Sequence, residues 1–220
     1  MNQKIARAIA ASALVGILAV GLGSAATAQA ADGLYGDPGW GAAYWTEQSY
    51  DDCAIMAAAH VIGMVTGDMP GEDDIVAVAG SIPSTVRTGH PIYTPDNDDE
   101  DNSGTNRLDV PVLLAHYGIK SYYTDVDIAD AGGLKTGMPA LERYLANDHA
   151  AVAIVNANTI WGIPEDGEGS HALIVTGVDT VNGIVHLNDS GIDDGADEQV
   201  SIDTFQSAWN DMDQELIITS

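Results

Sequence analysis

The chain has 220 residues, of which 33 are acidic and 7 basic, giving a formal net charge of −26. So few lysines and arginines exclude nucleic acid as a partner, and anionic membrane surfaces with it, because phosphate contacts need clustered cations. The acidity favours solubility and, weakly, attraction of cationic peptides.

The first 30 residues form a unit of their own. Lys4 and Arg7 precede an apolar run from Ile9 to Leu22, and small residues lead to Ala28-Gln29-Ala30. That order is a secretory signal peptide with its cleavage site. Its removal takes away two bases and no acid, leaving −28. Residues 31–220 are then expected to form a single secreted, extracytoplasmic domain. Beyond residue 30 no apolar stretch approaches the ~20 residues of a membrane helix, so no membrane insertion is expected.

Residues 31–47 are rich in glycine and aromatics (Tyr35, Trp40, Tyr44, Trp45) and read as an irregular lead-in. Asp51 or Asp52 offers an N-cap for a helix from about Cys53 to Met64, with Ile55, Ala58, Ala59 and Ile62 at helical spacing. Gly67 to Gly71 breaks it. A second short helix starts at Glu72, Asp73 and Asp74, which suit its positive end, and stops at Gly80. Residues 81–106 read as a long loop with an acidic centre at 96–102. Arg107 to Tyr117 reads as a helix, with Pro111 in its first turn and Gly118 after its end.

Ile119 to Thr124 is strand-like, Asp125 to Gly137 a polar connection, and Pro139 opens another helix. The pattern then turns to strands. Ala150 to Val155 is a continuous apolar run, and His171 to Val178 and Ile184 to Asn188 flank the hairpin signal Asn182-Gly183. Ser201 to Trp209 is helical, with Phe205 and Trp209 at i, i+4, and Glu215 to Thr219 is a closing strand. Helices first and an antiparallel sheet second make an α+β protein.

Cys53 is the only cysteine. In an exported chain it has no internal disulfide partner, so it is a buried thiol, an intermolecular link or a nucleophile. The start of a helix favours a thiolate, while Asp51 and Asp52 oppose one. An imidazolium partner must outweigh them, and His171, at the start of a strand, is the candidate. The hairpin brings Asp189, at the end of the next strand, beside His171 to hold its tautomer, and turns Asn188 to the opposite face. Gln48 precedes the helix and can offer its amide to an oxyanion together with the Cys53 N–H. His60 lies on the Cys53 helix and reads as a packed histidine; His186 reads as structural or surface. His90, His116 and His149 show no partner in the sequence.

Four stretches carry a likeness to a known family: Tyr44 to Gln48, Asp52 to Gly63, Gly169 to Asp179 and Val185 to Asp189. Together they resemble papain-fold cysteine peptidases, most closely the bacteriocin-processing, double-glycine leader peptidases and their free-standing secreted relatives (a peptidase C39-like domain). Ala54 stands where many members have glycine, and Gln48 is one position nearer the cysteine than usual. The resemblance implies a papain-like fold with the nucleophile helix packed on a C-terminal antiparallel sheet. It also implies Cys53 as nucleophile, His171 as base, Asp189 as orienter and Gln48 for the oxyanion, with no cofactor.

The expected activity is a thiol hydrolase acting on peptide or isopeptide bonds, cell-wall peptides included. The alternatives are acyl transfer on the same fold and a silent surface-binding module. There is no G-x-x-x-x-G-K-[ST] phosphate loop of an attached transporter. The acidic 96–102 stretch offers oxygen ligands to a hard cation, but it lacks the glycine and glutamate of an EF-hand and reads as a solvated loop. Export predicts that intact mass or N-terminal sequencing of the mature protein starts at Ala31; a retained Met1 would overturn it.

Overall fold

The computed structural model describes residues 33–95, 103–164 and 169–220. The expected signal peptide and the acidic centre at 96–102 lie outside the described residues. The lead-in proves regular: β1 (Leu34–Gly36) is followed by α1 (Pro38–Ala42), whose cap Asp37 accepts the Trp40 N–H at 2.9 Å. Its glycine content hid a strand that is only three residues long.

Helix α2 (Cys53–Thr66) is buried from Ala54 to Gly63. Ala57, Ala58 and Ala59 let it lie close against the sheet, and Gly67, at φ 79°, ends it in a conformation that suits glycine. Helix α3 (Glu72–Ala79) follows as expected.

The supposed loop holds a two-residue pair, β2 (Tyr93–Thr94) and β3 (Gly104–Thr105). A single 3₁₀ turn at Arg107–Asp109 leads into α4 (Val110–His116). Then come β4 (Ser121–Thr124), α5 (Val126–Asp130), α6 (Met138–Leu145), β5 (Ala151–Asn156) and α7 (Ala157–Ile160). Helix α5 falls inside the expected polar connection; Asp125 caps it by accepting the Ile128 N–H at 2.8 Å. The chain ends with β6 (Ser170–Asp179), β7 (Ile184–Asn188), β8 (Ala196–Ser201), α8 (Ile202–Asn210) and β9 (Leu216–Thr219). Strand β8 escaped the sequence because its residues, Ala-Asp-Glu-Gln-Val-Ser, have no apolar run. It is an edge strand and buries little.

The main sheet runs β4-β9-β5-β6-β7-β8, with β1 added beside the far end of β6, and every pairing is antiparallel. Its centre is buried on both faces. Val152, Ile154, Ala172 and Ile174 join the core under α2, whereas Ala153, Val155, Leu173 and Val175 join the core under α6 and α8. That explains why Ala150 to Val155 is apolar without alternation. This is the α+β, papain-like arrangement, with the nucleophile helix lying on the sheet.

No described helix is long and apolar enough to cross a membrane. Trp209, 1% exposed, fills the α8 side. Its ring lies 5.3 Å from Phe205 and its indole N–H donates to the Glu215 carbonyl at 2.8 Å. Trp209→Ala should therefore destabilise the fold by about 3–5 kcal/mol, read as a lower urea midpoint. A midpoint unchanged from the parent protein would contradict this packing.

Candidate active site

Cys53 is the first residue of α2, half-buried at the helix N-terminus, where backbone N–H groups lack intrahelical partners. Strand β6 supplies His171 at its second position, opposite Val155 of β5. Asp189 follows the last residue of β7. The hairpin register pairs Asn188 with Ile174, so Asp189 turns back over the start of β6. The His171 imidazole Nε2 lies 2.6 Å from Asp189 Oδ1. The Cys53 thiol lies close enough to the same imidazole to favour its protonated form. The structure thus brings together the three residues that the spacing suggested, and Asn188 turns the other way, donating to the Gly41 carbonyl at 2.7 Å.

Asp189 is fully buried, and each of its polar atoms has a partner. Oδ1 also accepts the Gly191 N–H at 2.7 Å, and Oδ2 accepts the Trp161 indole N–H at 2.9 Å. Its carbonyl accepts the Trp45 indole N–H at 2.6 Å, and its own N–H donates to the Gly195 carbonyl at 2.9 Å. A Cβ on Gly195 would lie 1.8 Å from the Asp189 carbonyl oxygen, so glycine there is a steric requirement. Trp161 also stands 5.2 Å from the His171 ring, at 54° to it. Sequence reasoning missed Trp161 and Trp45 as site residues. Trp45 lay within a recognised stretch, but nothing in the sequence places an indole against an aspartate more than a hundred residues away.

Three donors, from His171, Gly191 and Trp161, favour the Asp189 carboxylate. Although burial works against its charge, the hydrogen bond to His171 and that residue's charge hold its pKa below the ordinary value. For His171 burial again opposes charge. The hydrogen bond to Asp189 and the neighbouring Cys53, with the Asp189 charge, prevail and push it up to about 10.

Gln48 is tied to the same loop. Its N–H donates to the Ser190 carbonyl at 2.8 Å, and its side-chain oxygen accepts the Ser190 hydroxyl at 2.8 Å. Its amide nitrogen donates to the Tyr50 carbonyl at 3.0 Å, so that donor is occupied. His60 is buried, and Nε2 faces the Thr46 N–H at 3.1 Å and C=O at 3.2 Å, which fastens the Gln48 segment onto α2. Burial pushes His60 down to about 4, so it is a neutral, packed histidine. His186 pairs with Asp197 at 2.7 Å, in a structural role.

A cleft of about 290 Å³ opens beside Cys53. Ala54, Ile154, Ser170 and Ala172 line one side of it, and Ser103 to Arg107 the other. Among the described residues no group of three or more His, Cys, Asp or Glu side chains is placed to hold a metal ion.

A cysteine on a helix end against a histidine–carboxylate pair on an antiparallel sheet defines the class: a papain-like, α+β cysteine-peptidase fold. Residues 44–217 match the family described as Peptidase_C39 like, and the chain belongs to that family. Uncharacterized proteins of Mycobacterium tuberculosis (strain H37Rv) and Mycobacterium bovis are 52% identical to it over 202 residues, covering 87% of this chain and 87% of each relative. Among solved structures, a protein assigned as a C39-like peptidase from Bacillus anthracis shares the fold. It has a TM-score of 0.54 and 16% identity, covering 85% of this chain and 97% of that one.

The His171 pair carries a pH signature. A histidine whose pKa is raised on folding adds stability that is complete below its unfolded value of 6.5 and is lost as pH rises through about 10. NMR of the His171 ring should show an imidazolium at pH 8, and Asp189→Asn should lower its midpoint by a unit or more. A midpoint near 6.5 in the parent protein would exclude the charged pair.

Proposed function

We propose that this protein is a secreted thiol hydrolase that cleaves peptide or isopeptide bonds, with Cys53, His171 and Asp189 as its triad. The observation that carries this reading is the His171 imidazole bonded to the buried Asp189 carboxylate at 2.6 Å, with the Cys53 thiol near enough to favour its charged form. The Cys53 thiolate attacks the substrate carbonyl carbon, forming a C–S bond and an oxyanion. The first amide N–H groups of α2 face that oxyanion. Gln48 joins them by exchanging its bond to the Tyr50 carbonyl. Imidazolium His171 donates its proton to the leaving amine as the C–N bond breaks, leaving a thioester. His171 then takes a proton from water, whose oxygen attacks the thioester; the C–S bond breaks and the acid leaves.

Asp189 holds the ring in one orientation throughout. The cleft beside Cys53 is open enough for a peptide chain, and both cell-wall stem peptides and secreted peptides fit this chemistry. Export through the N-terminal signal places the enzyme outside the cytoplasm, where such substrates lie.

Mass spectrometry of peptide and muropeptide pools incubated with the mature protein tests the reading. New termini should appear with the parent protein and vanish with Cys53→Ala. His171→Ala should lower the rate by at least about 100-fold. Products carrying an added amine in place of water would identify acyl transfer. No covalent turnover in any pool, together with a Cys53 that iodoacetamide labels no faster than free cysteine at pH 6, would identify a silent binding module.

A further inference from the structure

Asp52 is a fully buried carboxylate at this site whose burial the mechanism does not use. It occupies the N-cap position of α2 immediately before Cys53 and is 2% exposed, yet its side chain makes no capping hydrogen bond. Neither carboxylate oxygen finds a partner among the described residues beyond a weak contact with its own amide. Its carbonyl is ordinary, accepting the Ile55 and Met56 N–H groups at 2.8 and 3.0 Å. A buried carboxylate without donors is unfavourable, and such a group stays neutral where it can.

The groups around it reinforce that. Glu72, at the start of α3, and Asp51 are the negative charges acting on Asp52. Glu72 is fixed by the Ser49 and Tyr50 N–H groups. Tyr50 is bonded to Asp73 at 3.0 Å, and Tyr93 of β2 has its hydroxyl pushed up to about 12 by burial and then by the charge of Asp52. Arg87 and Arg107 line the same cleft, but Arg87 is engaged with backbone carbonyls and Arg107 with Glu215. Among the described residues no cation is bonded to Asp52.

We propose that Asp52 sets the upper pH limit of Cys53 reactivity. While its carboxyl holds a proton, the thiolate–imidazolium pair forms beside a neutral neighbour; once that proton is lost, the thiolate faces an uncompensated negative charge one residue away. The proposal rests on reading Cys53 as the nucleophile of the His171 pair. Burial first, then Glu72 and Asp51, push Asp52 up to about 7, so the limit falls near neutrality and well below the loss of the His171 proton at about 10. Asp52 is a positioning residue: it acts through the charge of Cys53 rather than by touching substrate.

The test is the second-order rate of Cys53 alkylation by iodoacetamide from pH 5 to 9. In this reaction sulfur displaces iodide and a C–S bond replaces the C–I bond. In the parent protein the rate should fall through pH 7 by up to about tenfold, the most that one pKa unit of charge interaction can give. Asp52→Asn keeps the shape and removes the charge, so its rate should stay level through pH 8. Glu72→Gln should move the break to lower pH, because Glu72 helps Asp52 retain its proton.

Glu198 is a half-buried acid, near Asp189 and His171, that is pushed up to about 7 by burial and the Asp189 charge. Glu198→Gln should leave the break in place. Melting curves give a readout independent of the thiol. The folded protein keeps the Asp52 proton to about pH 7, whereas the unfolded chain loses it near 3.8. The associated stability is complete below 3.8 and gone above 7, so Asp52→Asn should melt higher than the parent at pH 8 and not at pH 4.

Coincident alkylation profiles for the parent protein and Asp52→Asn, or a break removed by Glu198→Gln instead, would overturn the proposal while leaving the triad intact. If Cys53 reacts like free cysteine at pH 6 and ignores His171→Ala, the nucleophile reading fails and this proposal with it.

Discussion

The bond between the His171 ring and Asp189 is the constraint around which the molecule is arranged, because it requires an ionised carboxylate buried away from the surface. Every other feature of that corner answers the requirement. Trp161 and Trp45 reach in from separate segments to donate indole protons, Gly191 supplies an amide, and Gly195 keeps a Cβ away from the Asp189 carbonyl. Removing such partners one at a time leaves a buried charge unsatisfied, which costs more than the bond itself contributes. The loop from Asp189 to Gly195, though irregular, is therefore as constrained as the strands it joins.

Asp52 and Asp189 show how burial alone says little about a carboxyl group. Both are inaccessible to solvent and both lie within the Cys53–His171 site, yet their surroundings differ in sign. Asp189 meets donors and an imidazolium, so its charged form is favoured; Asp52 meets burial without donors and the charges of Glu72 and Asp51, so its neutral form is favoured. Acids pushed apart in this way divide the work of a site, one holding a cation and the other holding a proton. The two aspartates stand on either side of Cys53, one held charged and the other held neutral.

Much of this was legible in the sequence because it depends on local pattern. The solitary cysteine at a helix start, the Asn182-Gly183 turn and the strand lengths were enough to bring Cys53, His171 and Asp189 together. The hairpin argument held because antiparallel pairing fixes the end of β7 against β6 whatever surrounds it. What escaped were features made by distant chain segments. The indole donors Trp45 and Trp161 depend on how α1 and α7 close over the Asp189 loop. Strand β8 exists because β7 offers a free edge, not because its own residues favour extension. Asp52 was legible as an obstacle to ionising Cys53, but only the packing of α3 and β2 shows that its own carboxyl is the group held neutral.

The wall of the cleft facing Cys53 follows a different rule from the rest of the fold. Around residues 83–95 and 103–107 apolar side chains are few, and the backbone is gathered by polar groups instead. Arg87 reaches the carbonyls of Pro91, Ile92, Ser103 and Gly104, joining both strands of the β2–β3 pair. Buried Asp109 accepts from the Ser84 hydroxyl at 2.5 Å and from the Thr85 N–H and hydroxyl at 2.8 Å, fixing the preceding turn. Arg107 binds Glu215 just before β9, fastening the wall to the sheet. In a chain with only 7 basic residues, two of them are spent on this wall. A cation that gathers several carbonyls specifies the backbone path without requiring a hydrophobic core beneath it. The two arginines thus hold the β2–β3 pair and the turn before α4 in place beside the cleft through polar contacts with the backbone and with the sheet.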